Sequence, residues 1–484
     1  MEEPFFDSQQ VERALGWRAF ALRDGETEHV VSENGQKAII RLRQGGSIYF
    51  LKNVPVLSSQ EASLLRSAID EYMERQKNHH LSALESFSAF IKERNISLDK
   101  PQHEYLAKVI SRIASPAGII SELLEHENLE EIAVIGIGKS KPVYVYDRAF
   151  GWVQTNLYFS REREIRNIVN VVASKLGRRL TLKTPSLNAF LEDGSRMNAL
   201  IEPASVSGPA ITIRKFTKSP LTPLELHAYG AVSLRHLAFI WLALQSDCSA
   251  LVCGNTGSGK TTLLGSLFNF IPQNERIVIV EETPEINIPH RHAVRMATSE
   301  GIDAGMSELI VNTLRMRPDR VIVGEVRRRD EAAAYIDTLL AGQGKGSYAT
   351  FHAQSGQEAI ARLQNLGALD SDLAALDLIL VQKRWSSFSG GACREERKLV
   401  EISEPHWQGG KMRAQKICGF DLRSKKFTEK ISRGRAFEKI CIAFGLNEKT
   451  FGKELSRREK FLQGLHGIKH GEFFDAICGY GQNA

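Results

Sequence analysis

The sequence predicts an α/β protein whose C-terminal half is built on a doubly wound, parallel sheet. Three observations carry this expectation. The stretch Gly254-Asn255-Thr256-Gly257-Ser258-Gly259-Lys260-Thr261 follows a short apolar run, Ser249 to Cys253, and opens a helical pattern, Thr261 to Phe270. It matches G-x-x-x-x-G-K-[ST] in the strand-then-helix context that motif needs. From Leu224 to about Val381, strand-like apolar runs alternate with helical patterns, as βαβ units do. Acidic and histidine side chains stand just past those runs, where an open parallel sheet binds its ligands.

Two regions precede this domain. Residues 1–115 read as a helical N-terminal extension. Lys37 to Arg43 and Ser47 to Leu51, around Gln44-Gly45-Gly46, predict a hairpin. Ser58 is placed to cap a helix through about Glu74, and helical patterns recur over 81–94 and 102–114, broken by Pro101 and Pro116. No chemical motif falls here, and the region suits partner docking. Residues 116–217 read as a smaller α+β domain. It has helices at Ile119 to Leu124 and Arg161 to Leu176, and strands at Ile132 to Ile137, Pro142 to Tyr146 and Ala210 to Phe216. Glu192-Asp193-Gly194-Ser195 marks a turn, and residues 218–223, KSPLTP, have the composition of a linker.

The third domain, 224–484, is expected to place strands at 249–253, 276–280, 293–296, 320–324 and 347–351. Leu237 to Leu244 reads as a buried helix. Strands follow at Lys398 to Ser403 and Met412 to Asp421, then a helical tail. From Lys411 to Lys460 there are 15 Lys and Arg against 6 Asp and Glu, a net of +9, which exceeds the +6 of the whole chain. This concentration suits an anionic surface or an acidic partner.

A chain of 484 residues is too long for one ordinary domain. Its six cysteines are scattered without a C-x-x-C pair, which argues against a disulfide framework or a zinc site and fits a reducing compartment. The acidic, polar start does not resemble a signal peptide. No apolar run approaches the ~18 residues that span a bilayer. The expectation is a cytoplasmic protein that meets the membrane only through partners or surface contacts.

The Gly254–Thr262 stretch has a specific chemistry. Its glycines let successive backbone N–H groups turn inward around phosphate oxygens. Lys260 reaches the outer phosphates, Thr261 offers a hydroxyl to Mg²⁺, and the following helix presents its positive end. Beyond it, the apolar run Ile277 to Val280 ends in Glu281 and Glu282, with Glu285 close by. Carboxylates here could orient water or hold Mg²⁺, although a solvated strand end is the simpler reading. The run Arg320 to Val323 ends in Gly324-Glu325, the form of a Walker B strand with glutamate in the acidic position. Gly324 would allow close backbone approach. His352 stands at another strand end; a lone histidine is more often structural than catalytic.

In this order, the motifs GxxxxGKT, xEExPEI, RPDxxxxGEVR and TxHA resemble those of the type II and type IV secretion system ATPases. That family includes pilus-assembly motors, the archaeal-flagellum motor and conjugation-type secretion motors. Asp193-Gly194-Ser195-Arg196-Met197-Asn198-Ala199, Gly208-Pro209 and Thr212 to Phe216 are similar to its N-terminal domain, so the resemblance covers roughly residues 119 to 383. It implies a C-terminal RecA-like P-loop NTPase domain, ATP and Mg²⁺ as ligands, and an ATP-hydrolysing homohexameric motor. Such a motor powers filament assembly or protein secretion through a polytopic membrane platform protein. Gly254, Asn255, Thr256, Gly257, Ser258, Gly259, Lys260, Thr261 and Thr262 would bind nucleotide; Thr261 and Glu325 would hold the metal. Glu281 and Glu282 match the acidic box, Glu325 the Walker B acid and His352 the histidine box. Arg196 and Arg214 stand where the family closes arginines over the nucleotide. Arg315 and Arg327 are further candidates, with ion pairing or packing as the other reading.

Two departures are visible. Glu282 replaces an aspartate, and the stretch Gly342-Gln343-Gly344-Lys345-Gly346 lacks the histidine that usually opens the histidine box. A RecA-like nucleic-acid translocase or helicase is the alternative reading. The phenylalanines of the basic tail form no legible stacking platform, so nucleic acid is not expected as a partner.

Overall fold

The computed structural model describes residues 17–19, 27–34, 37–42, 46–51, 59–75, 82–114, 117–148, 150–175, 177–216, 221–298, 304–341, 344–389, 392–428, 431, 434–468 and 470–480. Ser58, Gln44-Gly45, Pro116, Lys218 to Pro220 and Gly342-Gln343 lie outside the described residues. The chain forms two compact units, Met1–Phe216 and Thr217–Ala484.

The first unit is organised on a nine-stranded sheet. Across the sheet the strands run Thr27–Asn34, Lys37–Leu42, Ser47–Leu51, Gly151–Thr155, Tyr144–Asp147, Leu129–Val134, Ala210–Arg214, Arg196–Leu200 and Ser186–Phe190. The predicted hairpin pairs Lys37–Leu42 antiparallel with Ser47–Leu51. Its second strand then pairs in parallel with Gly151–Thr155. At that junction the buried amide of Asn156 imitates a peptide: Leu51 N donates to its Oδ1 at 2.9 Å, and its Nδ2 donates to Leu51 O at 3.2 Å. Helices Ser59–Arg75, Ala83–Glu93 and Lys100–Ala114 contribute Leu65, Phe87, Phe90 and Leu106 to the same core as Ile132, Val145 and Ile213. The described strands and helices of 27–114 and of 117–214, expected to lie in separate regions, therefore share one sheet and one core. No motif marked the join because it is made by backbone pairing, which leaves little trace in side-chain pattern.

The second unit carries an eight-stranded sheet in the order Ala293–Ala297, Ile277–Glu281, Arg320–Val326, Ser347–Phe351, Ala250–Gly254, Leu378–Ser389, Ala392–Gln408, Lys411–Cys418. The first six strands are mutually parallel and the last two antiparallel. Continuous apolar runs are what a sheet covered on both faces requires. Ala250 and Val252 point into one core, Leu251 and Cys253 into the other. The helix Leu234–Gln245 is buried from His236 through Leu244, as its all-round hydrophobicity predicts.

What covers that helix is the C-terminal segment. Helices Arg435–Phe444, Glu448–Gly464 and His470–Cys478 contribute Ile440, Leu455 and Phe473 to the same core. Arg458 is buried, with its guanidinium 4.3 Å from the centre of the Trp241 ring and 5.0 Å from that of Phe444. The expected basic tail is thus a packed layer of the second unit. Part of its charge is spent internally, because Lys439 pairs with the buried Asp377 at 2.9 Å.

Candidate functional site

The carboxyl ends of four parallel strands define the site. Ala250–Gly254 leads into the loop that ends at the helix Lys260–Leu267. Gly254 is required by packing: a Cβ there would stand 2.2 Å from Gln382 O and 2.4 Å from Ser258 Oγ. Gly257 and Gly259 are required by conformation, with φ of 70° and 89°. Ser258 N donates to Asn255 O at 3.2 Å, and Lys260 Nζ reaches the same carbonyl at 3.4 Å. Lys260 is buried. Burial pushes its ammonium down in pKa, while Glu325 draws it back up. An ammonium held under such desolvation gains most from an incoming anion. Thr261 is half-buried at the helix start, and Thr256 and Thr262 are exposed.

Glu325 reaches the site through a bulge. Strand Arg320–Val326 pairs Val323 with Ala349 and Val326 with Phe351, so Gly324 and Glu325 together oppose one residue. Such a bulge re-aims the side chain that follows it. Thr350 Oγ1 closes it on Gly324 O at 2.5 Å, and a Cβ on Gly324 would stand 2.9 Å from Glu281 Cγ. Glu325 Oε2 accepts from Arg327 Nε at 2.7 Å. His352 Nε2 stands 2.7 Å from Glu325 Oε1 without hydrogen-bond alignment, and among the described residues this buried oxygen has no hydrogen-bond partner. Burial, and next to it the charge of Lys260, push the His352 imidazole below its usual pKa. Arg327 also pairs with Glu282, so Glu282, Arg327, Glu325 and His352 form one connected cluster.

Glu281 is placed differently from the other acids. It is 3 % exposed, and its Oε1 accepts the backbone N–H groups of Glu285 and Ile286, both at 2.8 Å. Burial pushes its pKa up from 4.5 to about 7, against the lowering effect of those two bonds. It therefore holds the loop after its strand, so the solvated strand end considered from sequence does not apply to Glu281, whereas Glu282 is exposed. Arg315 lines a groove of about 490 Å³ between helices Met306–Thr313 and Arg329–Leu340, with Asp330 and Asp337. Arg196 and Arg214 belong to the first unit, where they face each other on adjacent antiparallel strands and are exposed.

Two arginines beside the loop were not singled out from the sequence. Asn255 Nδ2 donates to Arg384 O at 2.9 Å, and Arg384 N donates to Asn255 Oδ1 at 3.0 Å. Arg397 Nε donates to Gly257 O at 3.0 Å. Their strands, Leu378–Ser389 and Ala392–Gln408, extend past the core. The cluster of opposite charges in Arg394-Glu395-Glu396-Arg397 was the available signal.

The residues present fit a magnesium nucleotide. Ser258 Oγ and Glu325 Oε1 are buried oxygens without hydrogen-bond partners among the described residues, and the loop presents a buried cation with glycines where backbone must approach an anion. Among the described residues there is no cluster of three or more His, Cys, Asp or Glu that would hold a metal by protein ligands alone, and no helix long and apolar enough to cross a membrane.

The sequence model of the type II/IV secretion system protein family matches residues 143–423, more than half of the chain. An uncharacterized protein of Methanocaldococcus jannaschii is 33 % identical over 328 residues, covering 63 % of this chain and 44 % of that protein. The chain spans about half the length of the first such curated relatives. The type IV secretion system protein VirB11 of Bartonella henselae is 30 % identical over 342 residues, covering 60 % of this chain and 93 % of its own. Among solved structures, the Legionella pneumophila ATPase DotB aligns at 16 % identity with a TM-score of 0.41, over 71 % of this chain and 86 % of that one. Because the matched span contains the phosphate loop, the Glu325 bulge and His352 together, the chain belongs to the type II/IV secretion system protein family.

Proposed function

We propose that this protein is an ATPase that converts hydrolysis into mechanical work for protein secretion or for assembly of a type IV pilus-like filament. The observation that carries the reading is that neighbouring strand ends bring together a phosphate loop with a buried lysine and a bulged glutamate whose buried Oε1 lies against His352 without a hydrogen-bond partner among the described residues. The loop N–H groups and Lys260 bind the phosphates. Thr261 and Glu325 are the groups that would hold Mg²⁺, whose chemistry is to neutralise charge on the phosphate oxygens. Glu325 Oε2 is held by Arg327, which leaves Oε1 to align the attacking water and accept its proton. His352, whose imidazole pKa burial and Lys260 push below its usual value, lies against that oxygen. Arg196 and Arg214 are assigned to stabilise the transferring phosphoryl group, as guanidinium groups do elsewhere. A homohexamer acting with a polytopic membrane platform protein at the cytoplasmic face of the membrane belongs to the same reading. So does a domain boundary at the 218–223 linker.

ATPase turnover of the purified protein, measured alone, with anionic liposomes and with DNA, tests this. Lys260→Ala and Glu325→Ala should each abolish turnover, and Arg196→Ala should slow it while sparing nucleotide binding. Full activity in Lys260→Ala would mean another site does the chemistry, and stimulation by DNA alone would favour a translocase.

A further inference from the structure

Arg384 and Arg397 are directly opposite one another on antiparallel strands. Like charges in that position repel, so the pair requires an anion between them. One is present: Glu395 Oε1 pairs with Arg384 Nη2, and its Oε2 lies 3.4 Å from Arg397 Nη2. Both guanidinium groups meet the Glu395 carboxylate beside the phosphate loop.

Its attachment to that loop is close at three points. The Asn255 amide bonds both backbone polar groups of Arg384. Arg397 Nε holds the Gly257 carbonyl. The Arg384 guanidinium fills the space that Gly257 leaves by having no side chain, since a Cβ there would stand 2.4 Å from Nη1. The cation is therefore one backbone thickness from the phosphate cradle. Arg384 and Glu395 side chains are 32 % and 37 % exposed, so packing does not lock them together. An exposed ion pair holds weakly, whereas a guanidinium bonds phosphate oxygens in a planar, two-pronged geometry.

We propose that Arg384 is a phosphate-contacting residue of the nucleotide site and that Glu395 competes with the bound nucleoside di- or triphosphate for its guanidinium. This rests on the nucleotide-binding reading above. When the nucleotide takes Arg384, Glu395 turns wholly to Arg397, which keeps Gly257 anchored. Nucleotide occupancy is in this way read by the strand pair 378–389 and 392–408.

Titration of the full chain with a fluorescent ADP analogue tests the proposal. Arg384→Ala should raise Kd about tenfold, the loss of one charge-assisted contact, and Arg384→Lys should recover part of it. Glu395→Gln should lower Kd about threefold by removing the competitor, and should change nothing in the Arg384→Ala background. An unchanged Kd in Arg384→Ala overturns the proposal. So does weakening by Glu395→Gln, which would make the cluster a purely structural clamp. Tightening by Glu395→Gln without Arg384 would show direct repulsion and also overturn it. If the wild-type chain shows no binding that Lys260→Ala abolishes, the nucleotide-binding reading itself fails; if it does, only the Arg384 assignment is at stake.

Discussion

Glu281 and Glu325 leave neighbouring strands and meet opposite surroundings. Glu281 is closed in and spends one oxygen on two backbone amides; Glu325 keeps one oxygen without a hydrogen-bond partner. Glu281 thus holds the loop, and Glu325 is the acid the proposed chemistry would use. The folded chain holds the Glu281 proton up to about pH 7, whereas the ordinary value is 4.5. A raised folded pKa means a stability contribution complete below 4.5 and lost as pH rises through about 7. In thermal melts, wild type should lose stability relative to Glu281→Gln across that window, because the amide oxygen can accept the same two bonds without titrating. Parallel pH profiles would contradict the assignment. Arg327 is the other residue-scale test. Arg327→Ala should lower kcat with little change in KM, because it frees Glu325 Oε2 without touching the phosphate loop.

At the scale of elements, a bulge and a cap decide what the strands and helices can do. Glu325 would face away from its present position in an unbroken strand, since one residue of register reverses a side chain. The buried Glu404, on Ala392–Gln408, accepts from Arg435 N and Ala436 N, both at 3.1 Å, at the start of Arg435–Phe444. It acts as that helix's cap from a distant part of the chain. Glu404→Ala should cost about 1 kcal/mol in urea unfolding, as loss of a cap does, with ATP turnover retained. An undiminished midpoint would show that the helix end is satisfied otherwise. Parts of this were legible beforehand: Gly324 was read as a point of close backbone approach, and five of the six parallel strands were expected, whereas Leu378–Ser389 was not assigned as a strand. The Glu404 cap was not, because a cap normally stands beside its own helix.

At the scale of the whole molecule, each unit draws on sequence far from its motifs. In the first, residues 37–51 are built into the sheet through Asn156 and the parallel pairing to Gly151–Thr155. Asn156→Ala would leave buried Leu51 backbone groups unpaired, at about 1–3 kcal/mol. Limited proteolysis should then cut within residues 43–58 faster than in wild type; an unchanged cleavage rate would mean the pairing holds without the amide. In the second unit the C-terminal helices bury Trp241 and Arg458. The phosphate loop could be read from local pattern alone, because turn conformation is set by neighbours in the chain; the strand-end acids and His352 were candidates only through the order of the motifs. Tertiary structure decided which acid holds a loop and which joins the Arg327–His352 cluster, that Arg384 and Arg397 border the phosphate loop, and that the basic tail is a packed layer. Burial and the pairing of remote strands depend on segments that meet only in three dimensions, and their effect on a side chain is not written in the residues next to it.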